Sequence, residues 1–116
     1  MLDRRVFLAA ATLVASLPAR AEGHLDTALA LGLLRAGGLN LYIRHAITDR
    51  SQVDTGRRGD RAGQRNLDAR GEAQARALGE ALRRLAVPIG AVATSEVFRA
   101  ADTARLAFGE ARVVDV

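Results

Sequence analysis

Arg44 and His45 stand side by side where an apolar run ends, the first place in the 116-residue chain where a nucleophile and an anion-binding group are neighbours. A neutral imidazole with one nitrogen tied to a backbone carbonyl offers the other as a nucleophile, and phosphorus is a suitable target. A guanidinium beside it would neutralise phosphate oxygens, since it stays charged and its planar fork grips two oxygens at once. Side chains of successive strand residues point to opposite faces, so the pair can converge on one ligand only if the chain turns there. Ala46 is small enough for another group to approach closely. Arg99 could supply a second clamp from the first turn of a helix, where unpaired backbone N–H groups also favour an anion. Each residue also has a plainer reading, which spacing alone favours. His45 could be a hydrogen-bonded structural or surface histidine, and Arg44 a solvated strand end. Arg99 could be a helix-surface arginine paired with Asp102 at i+3, and Thr48 a turn residue.

Alternating helices and strands must position these groups. Asp26 is placed to cap a short helix in which Ala28, Leu29, Gly32, Leu33 and Ala36 recur at helical spacing, and Gly37-Gly38 stops it. Leu39 to Arg44 reads as a first strand, apolar and bounded by a glycine pair. Asp49 to Asn66 carries five arginines and three glycines without an apolar period and reads as a long mobile loop, solvated or steering anions. From Asp68 to Ala86 an amphipathic helix presents Leu78, Ala81, Leu82 and Leu85 on one face, with Arg76, Glu80, Arg83 and Arg84 away from it. Gly71 and Gly79 inside it each cost about 1 kcal/mol against alanine, which close approach of a neighbouring backbone would compensate. Gly90 to Thr94 reads as a short buried strand, Ser95 as the cap of the next helix, and Val97, Ala101, Ala104 and Phe108 as its packed face, closed by Gly109. Arg112 to Val116 begins a third strand. The pattern implies an α/β fold in three layers, a mostly parallel sheet flanked by helices. In such sheets chemistry gathers at the carboxyl edge of the strands, where His45 and the Ser95–Arg99 stretch could share one rim.

Composition narrows the function classes. Hydrophobic residues make up 49% of the chain but aromatics only 3%, so the core must be built from Ala, Leu and Val and is thin. There is no cysteine, hence no thiol nucleophile, disulfide or thiolate zinc site. All the cations are arginine and the net charge is +4, which invites a nucleic-acid or phosphate partner. The amino terminus accounts for part of that charge. Asp3-Arg4-Arg5 precedes a twelve-residue apolar run, Val6 to Leu17, too short to span a bilayer comfortably, and Ala19-Arg20-Ala21 follows Pro18. Residues 1–21 therefore read as an export signal peptide with a twin-arginine look. The expected organisation is a signal over 1–21 and one domain over 22–116. The expected location is periplasmic or exported, with the twin-arginine machinery as a partner and no stable membrane span after cleavage. Cleavage after Ala21 would remove half the net charge. The arginine loop also lacks the interleaved aromatics of nucleic-acid binders, so no nucleic-acid partner is expected.

Three blocks, taken together, shift the balance toward chemistry. Leu41-Tyr42-Ile43-Arg44-His45-Ala46-Ile47-Thr48 resembles the Arg-His-Gly signature strand of the histidine phosphatase (phosphoglycerate mutase-like) superfamily. Asn66 to Ala75, with Leu78-Gly79 and Leu82, resembles its first helix. Val92 to Ala104 resembles its block of serine, hydrophobic residue and arginine followed by Thr-Ala, here Ser95, Val97, Arg99 and Thr103-Ala104. Together they cover roughly residues 39 to 109. The resemblance implies a nucleophilic His45, phosphate-clamping Arg44 and Arg99, and Thr48 near the phosphate. It implies phosphoryl transfer to His45, forming a phosphohistidine that water hydrolyses, with a phosphorylated small molecule or phosphoprotein as substrate. It implies no metal and no organic cofactor. Ala46 stands where the signature has glycine, Ile47 where many members have glutamate and Ser51 where many have asparagine, which argues against the mutase and sugar-phosphate subgroups. Family members take a further histidine from the carboxyl-terminal half, and many take a proton-donating acid from the middle region. Neither is assigned here, so the chain is expected to be an amino-terminal portion with a free sheet edge, and alone to show low stability, oligomerisation or no activity. The alternative is a non-catalytic module that binds phosphate or another anion through Arg44 and Arg99.

Overall fold

A computed structural model describes residues 25–115. The expected signal peptide over 1–21 lies outside the described residues.

Helix α1 spans Thr27–Ala36 and starts as its sequence dictates, with Asp26 Oδ1 accepting the Leu29 N–H at 3.1 Å. Gly37 and Gly38, both at positive φ, end it. It buries none of its residues, and its link to the body is Arg35 Nε donating to the Leu85 carbonyl at 2.7 Å.

The segment 39–44 corrects an expectation. It forms no strand, Tyr42 is wholly exposed, and Leu39, Leu41 and Ile43 are 40–56% exposed. An apolar, β-prone run can be extended, but a strand also needs a partner backbone at ladder distance. Here the run instead lines one side of a cleft whose other side is residues 88–94.

The 49–66 stretch, expected to be a long mobile loop, carries hydrogen bonds along much of its length. The Thr55 N–H and hydroxyl both donate to the Gly63 carbonyl, at 2.7 and 2.9 Å, around a 3-10 turn, Arg61–Gly63, capped by Asp60. The Asn66 side-chain amide donates to the Arg61 and Gln64 carbonyls at 2.8 and 2.9 Å. Polar side chains can satisfy backbone groups locally, so lack of an apolar period does not mean lack of order.

Helix α2, Ala69–Arg84, begins at Asp68, whose Oδ1 accepts the Gly71 N–H at 2.8 Å. It ends in a two-bond cap: Ala86 N–H donates to Arg83, and Val87 N–H to Leu82, both at 3.0 Å, with Ala86 at φ 55. The face it buries is Gly71, Ala75 and Gly79. Leu78, Ala81 and Leu82 are half-buried, and Leu85 is exposed, contrary to expectation. Small residues carry this face because neighbouring backbone comes close. A Cβ on Gly79 would collide with the Ala107 carbonyl, and one on Gly71 with the Ile47 carbonyl.

Helix α3, Phe98–Phe108, packs against α2. Ser95 does not cap it; the capping residue is Val97, which offers no side-chain bond. Instead the Phe98 N–H donates to Oε1 of Gln64 at 3.0 Å, a glutamine only 7% exposed. The braced loop thus supplies from a distance the oxygen that a local serine was expected to give. On either side of α3 lie β1, Ala93–Thr94, and β2, Arg112–Val113, paired in parallel with Ala93 opposite Arg112. The strand expected over 90–94 is confined to its last two residues, as long as its partner. The described residues thus form a partial α/β fold of three α-helices and a two-stranded parallel sheet. Its buried hydrophobic residues are five alanines and Val87, the thin core the composition implies.

Candidate functional site

His45 sits between the exposed segment 39–44 and the buried Ala46. The next residue, Ala46, is 6% exposed, and its N–H donates to the Thr103 hydroxyl at 3.0 Å, which itself donates to the Arg99 carbonyl at 2.7 Å. The start of α3 therefore fixes the backbone at His45 through one threonine. Ile47 is held equally firmly. Its N–H donates to Gln74 Oε1 at 3.0 Å and its carbonyl accepts the Asp68 N–H at 3.2 Å.

The imidazole takes its orientation from this fixed turn. Nδ1 lies 2.8 Å from the Ala46 carbonyl oxygen, a geometry met by the tautomer with the proton on Nδ1, which leaves the lone pair on Nε2. The half-buried ring lines the cleft of about 480 Å³ between residues 39–43 and 88–94, together with Thr94 and Ser95 at the carboxyl end of β1. The rim expected to join a strand-ending His45 to the Ser95–Arg99 stretch is met only in part, since no strand precedes His45 and of that stretch only Ser95 lines the cleft.

The other candidates fall differently. Arg44 is exposed and makes no side-chain hydrogen bond or ion pair among the described residues. Arg99, in the first turn of α3, pairs with Asp54 rather than Asp102, its Nη1 3.0 and 3.2 Å from the two carboxylate oxygens. Neither arginine lines the cleft that holds the imidazole. Thr48 forms an antiparallel bridge with Leu67 beside α2, a backbone role that closes the loop.

Three arginine–carboxylate pairs join the loop to the β1–α3 corner. Arg58 meets Glu96 at 3.0 Å, Arg61 grips Asp102 through Nη1 and Nη2 at 2.6 and 3.0 Å, and Asp54 meets Arg99. Arg61 also lies over the Phe98 ring, 4.2 Å from its centroid. The arginines the sequence presents as a solvated cluster are thus partly engaged in holding the loop over the start of α3. Asp54, Gln64 and Thr103 bond to Arg99, to the Phe98 N–H and to the Ala46 N–H, contacts that sequence reasoning did not foresee. Thr103 alone left a signal, since i+4 spacing from Arg99 lets its hydroxyl reach that carbonyl.

Comparison with known proteins places this geometry in a family. No curated protein and no solved structure matches the chain. The family model described as the histidine phosphatase superfamily (branch 1) matches residues 41–116, a stretch that takes in His45, Arg99 and the whole of α2, α3 and both strands. The chain belongs to the histidine phosphatase superfamily.

Proposed function

We propose that this chain carries the nucleophile of a phosphatase that works through a phosphohistidine at His45, on a phosphomonoester or a phosphoprotein. Membership of the superfamily supports phosphatase- or mutase-type chemistry. The observation that carries the finer reading is the 2.8 Å contact between His45 Nδ1 and the Ala46 carbonyl. As Nε2 forms its bond to phosphorus and the ester P–O bond breaks, positive charge develops on the ring. The carbonyl facing Nδ1–H stabilises that charge without moving. The leaving oxygen takes a proton from solvent or an acid, and water then cleaves the P–N bond to release phosphate and restore the neutral ring. Arg99 and Arg44, which lie outside the cleft lining, are the cations this reading assigns to the phosphate oxygens from beyond its rim, with Thr48 nearby. The three-layer α/β arrangement belongs to the same proposal.

Mass spectrometry at alkaline pH after incubation with an aryl phosphate tests it. The expected result is an acid-labile phosphoryl adduct on His45, with adduct and hydrolysis both lost in His45→Ala. Hydrolysis that is unchanged in that variant, with no adduct in the parent chain, sinks the mechanism. A second reading, a phosphate-binding module without turnover, draws on the cleft beside His45, whose described lining includes no Asp or Glu to protonate a leaving group. Phosphate binding with no hydrolysis would select it.

A further inference from the structure

Asp54 is not a stray surface carboxylate. Its Oδ1 accepts the Arg65 backbone N–H at 2.9 Å, and this bond, ahead of the attraction of Arg99, holds the carboxyl below its ordinary range. Arg65 in turn ties the loop to itself, donating Nε to the Gln52 carbonyl at 3.0 Å and Nη2 to the Arg50 carbonyl at 3.3 Å. The loop thus delivers one fixed carboxylate to an arginine 45 residues further along the chain.

The manner of the grip is informative. Arg61 spends both terminal nitrogens on Asp102, whereas Arg99 gives Asp54 only Nη1, shared between the two oxygens. Among the described residues nothing accepts from Arg99 Nε or Nη2. Those two donors form one straight edge of the guanidinium, the edge that matches two oxygens of a tetrahedral anion. The side chains of Arg99 and Asp54 are 24% and 49% exposed. An ion pair that open to solvent adds little stability, so its consequence lies in where the guanidinium is held.

We propose that Asp54 is a positioning residue for phosphate, gripping Arg99 by Nη1 alone so that the Nε–Nη2 edge is held ready for two phosphoryl oxygens. The inference rests on the reading of Arg99 as an anion clamp and adds a residue to it. Two effects of Asp54 oppose each other. Its grip pre-orders a long side chain, which favours the ligand, and its negative charge repels the ligand. The single-nitrogen contact favours the first, because the carboxylate leaves the binding edge uncovered.

Inorganic phosphate titrated calorimetrically into the full chain decides the sign. Asp54→Ala is expected to weaken phosphate binding about five- to tenfold, the cost of ordering one rotamer-rich side chain on binding. Asp54→Asn keeps an acceptor for both Nη1 and the Arg65 N–H, and it should stay within about threefold of the parent, since neutral hydrogen bonds are roughly half as strong. The Arg99 Nε–H resonance should be sharp in the parent chain, shift on adding phosphate, and be averaged in Asp54→Ala before phosphate is added. If Asp54→Ala is neutral or binds more tightly while Arg99→Gln loses binding, Asp54 competes with the ligand and the positioning role is overturned. Should the alanine variant lose its loop, the Arg99 Nε–H resonance of the parent chain decides instead, since a resonance already averaged before phosphate is added would show that Asp54 does not order the guanidinium and would overturn the role. If Arg99→Gln binds phosphate as well as the parent, or the parent binds none, the clamp reading falls and this inference falls with it.

Discussion

Replacing Gly71 with alanine sets two effects against each other. Helix propensity alone favours Gly71→Ala by up to about 1 kcal/mol. A Cβ there, however, would collide with the Ile47 carbonyl oxygen, a backbone atom that cannot swing aside as a side chain can. That oxygen accepts the Asp68 N–H at 3.2 Å, and the Ile47 N–H is held by Gln74 at 3.0 Å. Either the helix start or the turn after His45 must shift. Forced overpacking costs about 1–3 kcal/mol, so the net expectation is a loss of about 1–2 kcal/mol. For a domain of this size that is a fall in Tm of roughly 4–8 °C per kcal/mol. Because Ile47 is two residues from His45, the variant should also lower the yield of phosphoryl adduct. Gly79→Ala, which meets Ala107 on α3 instead, should cost similar stability and leave the adduct alone. Gly32→Ala in α1, with open space around the added methyl, should not destabilise. Urea titration measures the stabilities and mass spectrometry the adduct. A Gly71→Ala chain as stable as the parent would refute the close approach of these two backbones.

Two further outcomes follow from the same geometry. Ala86 closes α2 at φ 55, a conformation that costs an L-residue about 1–2 kcal/mol, so Ala86→Gly should raise stability by about 0.5–1 kcal/mol after the glycine's own entropic cost. A lower urea midpoint would show that the left-handed turn is not strained. The carboxyls of Asp68, Asp49 and Asp54 are all held below their ordinary range. The causes are, in turn, the Gly71 N–H with Arg70 beside it, the Ser51 hydroxyl and N–H, and the Arg65 N–H with Arg99. A depressed folded-state pKa adds stability that is complete above the unfolded value and is lost as pH falls through the folded one. Tm should therefore hold steady from pH 7 to about 5 and decline below about pH 4. A Tm that is flat to pH 2.5, or that already falls between pH 7 and 5, would assign the acid response to other groups.

The residues that read correctly from sequence are those whose partners lie within a turn or two along the chain. Asp26 caps α1 through the N–H three residues on, and Gly37 and Gly109 end helices at positive φ. His45 and its own neighbour's carbonyl are likewise a local matter. The segment 39–44 marks the boundary. Its apolar character, with Tyr42 and Ile43, favours a strand, yet whether it becomes one depends on a second backbone that composition cannot announce.

Local chemistry in the chain thus determined where α1 starts, where α1 and α3 end, the thinness of the core and the candidacy of Arg44, His45 and Arg99. Tertiary structure alone decided which carboxylate Arg99 meets, which oxygen caps α3 and which helix glycines touch backbone. Asp54, Gln64 and the Ile47 carbonyl lie 45, 34 and 24 residues from their partners. Contacts at such separations are set by how the loop and helices pack against one another, and no periodicity along the chain encodes them.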